Sequence, residues 1–499
     1  MYPAKIVPVL SLLFTALFPF AALAGIDESL NSATVPVADF MLKWVFYSFP
    51  LFGAEIKIVV VLLIGGGIFS TFYFKFINIS GFRRAIGLVS GKYDSKEAAD
   101  APGEVSHFQA LATACGATVG LGNIAGVAIA VSKGGPGATF WMIMAGLIGM
   151  SLKFAECTLA VKYRRENPDG SVSGGPMYYL SRGFAEMGQK HLGKALSVLF
   201  AIFCIGGAIG AGGMFQANQS FQQISQIAGE AGLALPGWSF GLALAIALGF
   251  VIVGGIKKIA NVTSKIVPFM AIIYIASALV VIAVQYERVP EAFSQIFRGA
   301  FSPEGIEGGM LGVMIWGFQR ATFSNEAGIG SAAIAHSAVR TRYPASEGIV
   351  SLLEPFIDTV VICTMTSLVI VLTGTYETGN LGGVEITSAA FASVIGWFPY
   401  LLALAVLLFC FSTMVSWSYY GMKCWTFLFG ENERNKMTFN IIFCGFVVVG
   451  AAASLNSIVN IADSLIFLMA MVNLVGVFAL IGKVRDELKA YRESPQGKF

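Results

Sequence analysis

The chain has 499 residues, 56% of them hydrophobic and 12% charged, with a mean hydropathy of +0.74. A soluble domain carries roughly 25% charged residues, so this one cannot clothe a surface in water and belongs in a lipid bilayer. The net charge of +3 is small and scattered, which excludes a nucleic-acid partner. Uncharged stretches such as 236–255, 266–286 and 388–422 approach or exceed the ~20 apolar residues that cross ~30 Å of hydrocarbon, which excludes an outer-membrane barrel of alternating strands.

Residues 1–24 join Lys5, an apolar run broken by Pro19, and Ala22-Leu23-Ala24 before Gly25. That is the form of a secretory leader, with an uncleaved first helix as the alternative. Residues 25–52 read as an extracytoplasmic or interfacial segment. Membrane spans are then expected near 53–75, 107–131, 137–161, 195–228, 238–255 and 264–286, and a second set near 307–338, 346–373, 388–422, 437–455 and 457–481. Lys and Arg stay on the cytoplasmic side of short loops. Placing the mature N-terminus outside puts most of them there, including Arg83, Arg84, Arg164, Arg165, Lys257, Lys258, Arg340 and the tail 482–499.

Setting aside 53–75 as an additional transmembrane helix leaves two sets of five spans, 107–286 and 307–481. Five is odd, so the second set enters from the opposite side, an inverted repeat of the kind found in secondary transporters. The first span of each set carries Gly-x-Gly before a polar residue: Gly120-Leu121-Gly122-Asn123 and Gly328-Ile329-Gly330-Ser331. Several glycines together invite unwinding, since each costs ~1 kcal/mol against alanine inside a helix. Unwound backbone survives in hydrocarbon only where it is buried in protein or lines a polar cavity. There it offers N–H groups to a carboxylate and carbonyls to a small cation. Close helix packing through small residues is the structural alternative.

The seven cysteines lie in or at the ends of apolar segments without a CxxC pair, and His107, His191 and His336 are isolated in sequence. They supply neither a zinc or haem spacing nor the nucleophile and base a membrane enzyme needs.

Five runs, 112–126 (ATACGATVGLGNIAG), 134–140 (GGPGATF), 153–164 (KFAECTLAVKYR), 174–178 (GGPMY) and 323–336 (FSNEAGIGSAAIAH), resemble the sodium:alanine/glycine symporters, a branch of the transporters with the leucine-transporter fold. The resemblance covers about residues 53–482. It implies an all-α integral membrane protein, a leucine-transporter-like 5+5 inverted repeat with one additional N-terminal transmembrane helix, in a bacterial plasma membrane. The implied activity is sodium-coupled import of alanine, glycine or similarly small neutral amino acids by alternating access, with no obligatory protein partner. A proton-coupled carrier of the same fold, with Glu326 or Asp358 carrying the proton, is the alternative.

By the same resemblance, sodium is held by the carbonyls of Gly116, Val119 and Phe409 and the hydroxyls of Ser412 and Thr413. The alternative for the two hydroxyls is bonding back to their own helix. Asn123 and the Thr118 carbonyl match a second ion site in related transporters; capping of the resumed half-helix is the alternative for Asn123. The substrate carboxylate is expected on the N–H groups of Leu121 and Gly122, its ammonium near Ser324 and Asn325. Gln216 faces the cavity, and Phe323 and Trp417 wall it with apolar surface. Ionisable residues within spans, Glu156, Arg320, Glu326, Glu354 and Asp358, need partners. Arg320 is expected to meet Glu326, as a gate or by neutralisation, and Glu156 to meet Lys153.

Overall fold

The computed structural model describes residues 27–29, 32, 34–36, 40, 48–51, 54–93, 101–168, 170–230, 232–301, 309–379 and 381–497; the leader read over 1–24 lies outside the described residues. An antiparallel hairpin pairs Ser48–Leu51 with Ala54–Lys57, Ser48 opposite Lys57. The first apolar helix, α1 (Ile58–Tyr73), follows it directly. It therefore starts later than the 53–75 reading, residues 54–57 being extended. Gly67 of α1 lets it lie close to the fourth helix: a Cβ there would stand 3.0 Å from Ile148.

The first set begins with α2 (His107–Thr118). After a break and a wide turn over Gly122–Gly126 comes α3 (Val127–Gly134). Then follow α4 (Ala138–Lys162), α5 (Lys190–Gly207), a wide-turned stretch Ala208–Met214, α6 (Phe215–Glu230), α7 (Gly237–Ile252) and α8 (Gly255–Val284). The second set opens with α9 (Gly309–Asn325), a break, and α10 (Ala332–His336). It continues with α11 (Pro344–Val350), the wide-turned stretch Phe356–Cys363, α12 (Thr364–Thr373), α13 (Phe398–Phe429), α14 (Glu433–Ala452), α15 (Leu455–Ala479) and the tail helix α16 (Ile481–Glu493). Each set opens with its broken helix; the wide-turned stretch falls in the third helix of the first set and the second helix of the second.

Among the described residues seven helical stretches are long and apolar enough to cross a membrane, eight if α2 and the turn-plus-α3 segment count as one bent span. The protein is a multi-pass membrane protein. Its burial is that of a chain dissolved in lipid: Phe250, Ile272 and Ile441 are more than 60% exposed. Asn123, Lys153, Glu156, Glu347, Glu354 and Asp358 are fully buried. The span read over 388–422 divides differently. Val384–Ala392 is a separate short helix, and α13 begins only after the turn containing Gly396, with Pro399 in its first turn. Proline suits that position because its missing N–H has no helical acceptor there anyway. α2 packs against α8 and α13, and α9 against α3 and α4, so both broken segments lie at the centre of the bundle.

Candidate functional site

The first broken segment follows from where its amides go. Val119 N–H makes the last helical bond, to Cys115 O at 2.7 Å. Gly120 N–H then donates to Asn123 Oδ1 (2.8 Å) and Leu121 N–H to Gln216 Oε1 (3.1 Å), so the Gly116 and Ala117 carbonyls lose their i+4 donors. Val119 has ψ of 85°, outside the helical range, and Asn123 N–H turns to Gly120 O, which releases the Val119 carbonyl too. The chain resumes at an angle of 50°.

α13 presents hydroxyls to this segment. Thr413 Oγ1 sits against Gly120, where a Cβ would lie 2.3 Å from it, and Ser416 Oγ sits against Gly116, 2.9 Å from a Cβ there. Neither hydroxyl has a hydrogen-bond partner although both are buried. A buried hydroxyl without a partner is the exception in native structures. Two of them against the segment that frees its carbonyls bring together oxygens of the kind a hard monovalent cation takes, although the Thr263 and Val267 methyls also press on Gly116. Ser412 behaves differently: its hydroxyl donates to the Phe409 carbonyl at 3.0 Å and lies 3.4 Å from Met270 Sδ. Thr118 likewise turns its hydroxyl to Ala114 O (3.2 Å). Ser416 was not foreseen; its signal was its place one helical turn after Ser412 in the part of α13 that carries no charge before Lys423.

The second broken segment is held open by left-handed backbone. Glu326, Gly328 and Gly330 have φ of 56°, 86° and 88°. That region is routine for glycine but uncommon for glutamate, and Glu326 is kept there by both its oxygens: Oε1 accepts from Trp417 Nε1 (2.9 Å) and Oε2 from Ser331. Trp417 is thus a polar tether as well as a wall. Asn325 Oδ1 takes the Ala327 N–H (3.0 Å) and its amide donates to Thr359 Oγ1 (3.0 Å).

One carboxylate ties the two segments together. Asp358, in the wide-turned stretch before α12, accepts from Asn123 Nδ2 (2.6 Å) and Ser324 Oγ (2.9 Å), with Thr359 Oγ1 at 2.7 Å. Asn123 therefore bonds back to Gly120 and across to Asp358, and does not cap the helix that follows. The segments also touch: a Cβ on Gly122 would lie 3.4 Å from Ser324 Cα and 3.5 Å from the Phe323 ring. Phe323 stacks edge-on to Phe215, centroids 5.1 Å apart.

Two expected ion pairs are replaced by others. Arg320 pairs with Asp463 on α15, not with Glu326, and its guanidinium lies 5.1 Å from the Phe323 centroid. Gln319 bridges Asp463 (2.9 Å) to Lys57 (2.8 Å), closing one end of the bundle. Lys153 pairs with Glu354 at 3.1 Å, not with Glu156, which instead accepts from Asn473. At the other end Arg164 donates to four backbone carbonyls: Ser337, Val339, Pro102 and Thr341.

Residues 41–498 match the family described as the sodium:alanine symporter family. The chain is 41% identical over 437 residues to the sodium/alanine symporter AgcS of Methanococcus maripaludis, covering 87% of this chain and 94% of that protein. It is 33% identical over 447 residues to the probable sodium/glutamine symporter GlnT of Bacillus subtilis, covering 89% of each. Among solved structures it matches MhsT in complex with L-phenylalanine with a TM-score of 0.59 at 16% identity, over 79% of this chain and 94% of that one. This last likeness is one of fold, the leucine-transporter-like arrangement of two five-helix sets.

Proposed function

The chain belongs to the sodium:alanine symporter family and is a cation-coupled amino-acid symporter; from that premise we propose that sodium is the coupling ion and that alanine, glycine or another small neutral amino acid is the cargo. The observation that carries the ion assignment is the pair of partnerless hydroxyls, Thr413 and Ser416, set against Gly120 and Gly116 in the segment whose carbonyls are freed. Sodium sits there, with Ser412 and the Phe409 carbonyl turning in from the same helix when it binds.

The cargo occupies the seam where Gly122 meets Ser324 and Phe323. Its carboxylate takes the N–H groups of Leu121 and Gly122, displacing the Gln216 oxygen, which then turns into the pocket. Its ammonium faces the side of the seam lined by Ser324, Asn325 and Asp358, the group that supplies negative charge. The tightness of the seam supports a small side chain: one extra methylene in an apolar pocket discriminates by ~1–3 kcal/mol. Arg320 with Asp463 closes the outer end over Phe323, and the Arg164 carbonyl clasp closes the cytoplasmic end. Rocking of the two sets opens each in turn.

Uptake of labelled alanine into proteoliposomes tests this directly. Sodium-gradient-driven uptake is expected, and uptake that persists without any sodium gradient overturns the ion assignment. A proton-coupled reading rests on the carboxyl groups of Glu326 in the second break and Asp358, which reaches the break from the stretch before α12. Acid-driven uptake that is indifferent to sodium and lost in Glu326→Gln establishes that reading instead.

A further inference from the structure

A chain of titratable side chains, separate from the proposed cargo and ion sites, runs from the bundle end closed by Arg164 into the interior. His107, the first residue of α2, places Nδ1 on Glu347 Oε2, its side chain 14% exposed. Glu347, in α11, holds His336 Nδ1 with its other oxygen at 2.5 Å. His336, the last residue of α10, turns Nε2 toward Glu354 Oε2 at 3.4 Å, and Glu354 Oε1 accepts from Lys153 Nζ. Beyond His107 every side chain of the series is fully buried.

The proton count of this chain follows from its geometry. An ionised carboxylate only accepts, so both imidazoles present Nδ1–H to Glu347. A neutral imidazole has one N–H, and His336 has used it, which would leave a bare nitrogen lone pair against a carboxylate oxygen. Neither His336 Nε2 nor Glu354 Oε2 has another hydrogen-bond partner. One more proton between these two atoms makes the contact attractive and brings the charge of Glu347, Glu354, Lys153 and that proton to zero. A buried net charge is strongly disfavoured.

We propose that His336 and Glu354 form a proton-binding site, filled from the aqueous side through His107 and Glu347, whose occupancy fastens the end of the bundle that the topology above assigns to the cytoplasm. The fastened element is next door in sequence. Glu104 N–H donates to Ala338 O and Arg340 N–H to Val105 O, both at 2.8 Å, so the strand leading into His107 is paired with the strand leaving His336. Binding converts H⁺ and neutral imidazole to imidazolium, with no other bond made or broken. Loss of the proton sets a lone pair against the Glu354 carboxylate, leaves the cluster net negative and drives the end of α10 away from the turn Leu353–Pro355 that carries Glu354.

The neighbouring groups do not supply the missing charge. Glu156 and Cys157 on α4, Cys115 on α2, Tyr420 on α13 and Glu326 in the second break all interact with Glu354 or its lysine, and none is a cation. Arg164 acts on Glu347, but its guanidinium is committed to the four carbonyls of the clasp. Protonation therefore stabilises the clasp at low pH, and that stabilisation is lost as pH rises.

Backbone amide exchange of the full chain in lipid nanodiscs tests this without cargo or sodium, so it stands or falls apart from the transport reading. After correction for intrinsic base catalysis, protection of the Glu104, Val105 and Arg340 amides is expected to fall about tenfold between about pH 6 and about pH 9. In His336→Gln the fall disappears and the low protection holds throughout. In His107→Gln, which leaves the His336–Glu354 pair intact, it persists. A corrected profile that is flat in the wild type, or a fall of the same size in His336→Gln, overturns the proposal. The wild-type arm is decisive even if a variant fails to fold.

Discussion

Thr413 is where a single atom carries the most weight. Its hydroxyl is buried, partnerless and pressed on Gly120. Thr413→Val keeps the shape and removes the oxygen, so the apparent sodium affinity measured by alanine uptake is expected to drop by about tenfold or more, roughly the worth of one oxygen ligand to a charge. Unchanged sodium dependence would place the ion elsewhere. Gly120→Ala would put a methyl carbon 2.3 Å from that hydroxyl, and uptake is expected to be abolished while the chain still reaches the membrane.

At this scale the sequence was readable where chemistry is local. Adjacent Ser412 and Thr413 were legible as candidate ion ligands, but which hydroxyl is free depends on side-chain rotamers: Ser412 bonds back to its own helix and Thr413 has no partner. The partner of Arg320 was not readable at all: Asp463 lies 143 residues away on another helix, whereas Glu326 was the near acid in sequence.

Among the elements, the two glycine-rich breaks were legible because Gly-x-Gly before a polar residue recurs at matching places in the two sets, and both segments do unwind. The residues that stabilise the unwound state were harder to see. Asp358 reaches both segments from a third element, and no periodicity announces that. The onset of α13 was misplaced because an apolar turn around Gly396 is indistinguishable by hydropathy from the helix it precedes. The breaks yield a contrast between two glycines. Gly330 has φ of +88° and its Cβ would meet Pro176 at 2.6 Å, whereas Gly126 is helical with nothing within 4 Å. Gly330→Ala is expected to cost roughly 1–3 kcal/mol, read as a lower Tm in detergent. Gly126→Ala should be neutral or slightly stabilising. Equal effects would mean the second break does not require its left-handed backbone.

For the whole molecule, coupling means that ion and cargo favour the same arrangement of the two five-helix sets. With sodium and alanine as the proposed pair, the factor by which the ion raises cargo affinity must then equal the factor by which the cargo raises ion affinity, and paired titrations by calorimetry check it. Closure at the Arg320–Asp463 end is a buried ion pair. Arg320→Ala strands the carboxylate and is expected to destabilise the protein by ~3–5 kcal/mol, while Arg320→Met with Asp463→Leu recovers most of that loss. Thermal unfolding of the single and double variants decides between a structural clamp and an inert contact.

The grip of Arg164 at the opposite end has a consequence for how this chain tolerates change. Every acceptor it uses is main chain, so the fastening depends on the path of the backbone at 102 and 337–341 rather than on side-chain polarity there, and the vulnerability is concentrated in one planar cation. Lysine in its place offers three donors from one nitrogen and cannot span four oxygens spread over separate loops. Buried Ser337, Ala338, Val339 and Thr341 hold that path by their own packing, yet a single substitution at the hub undoes the seal.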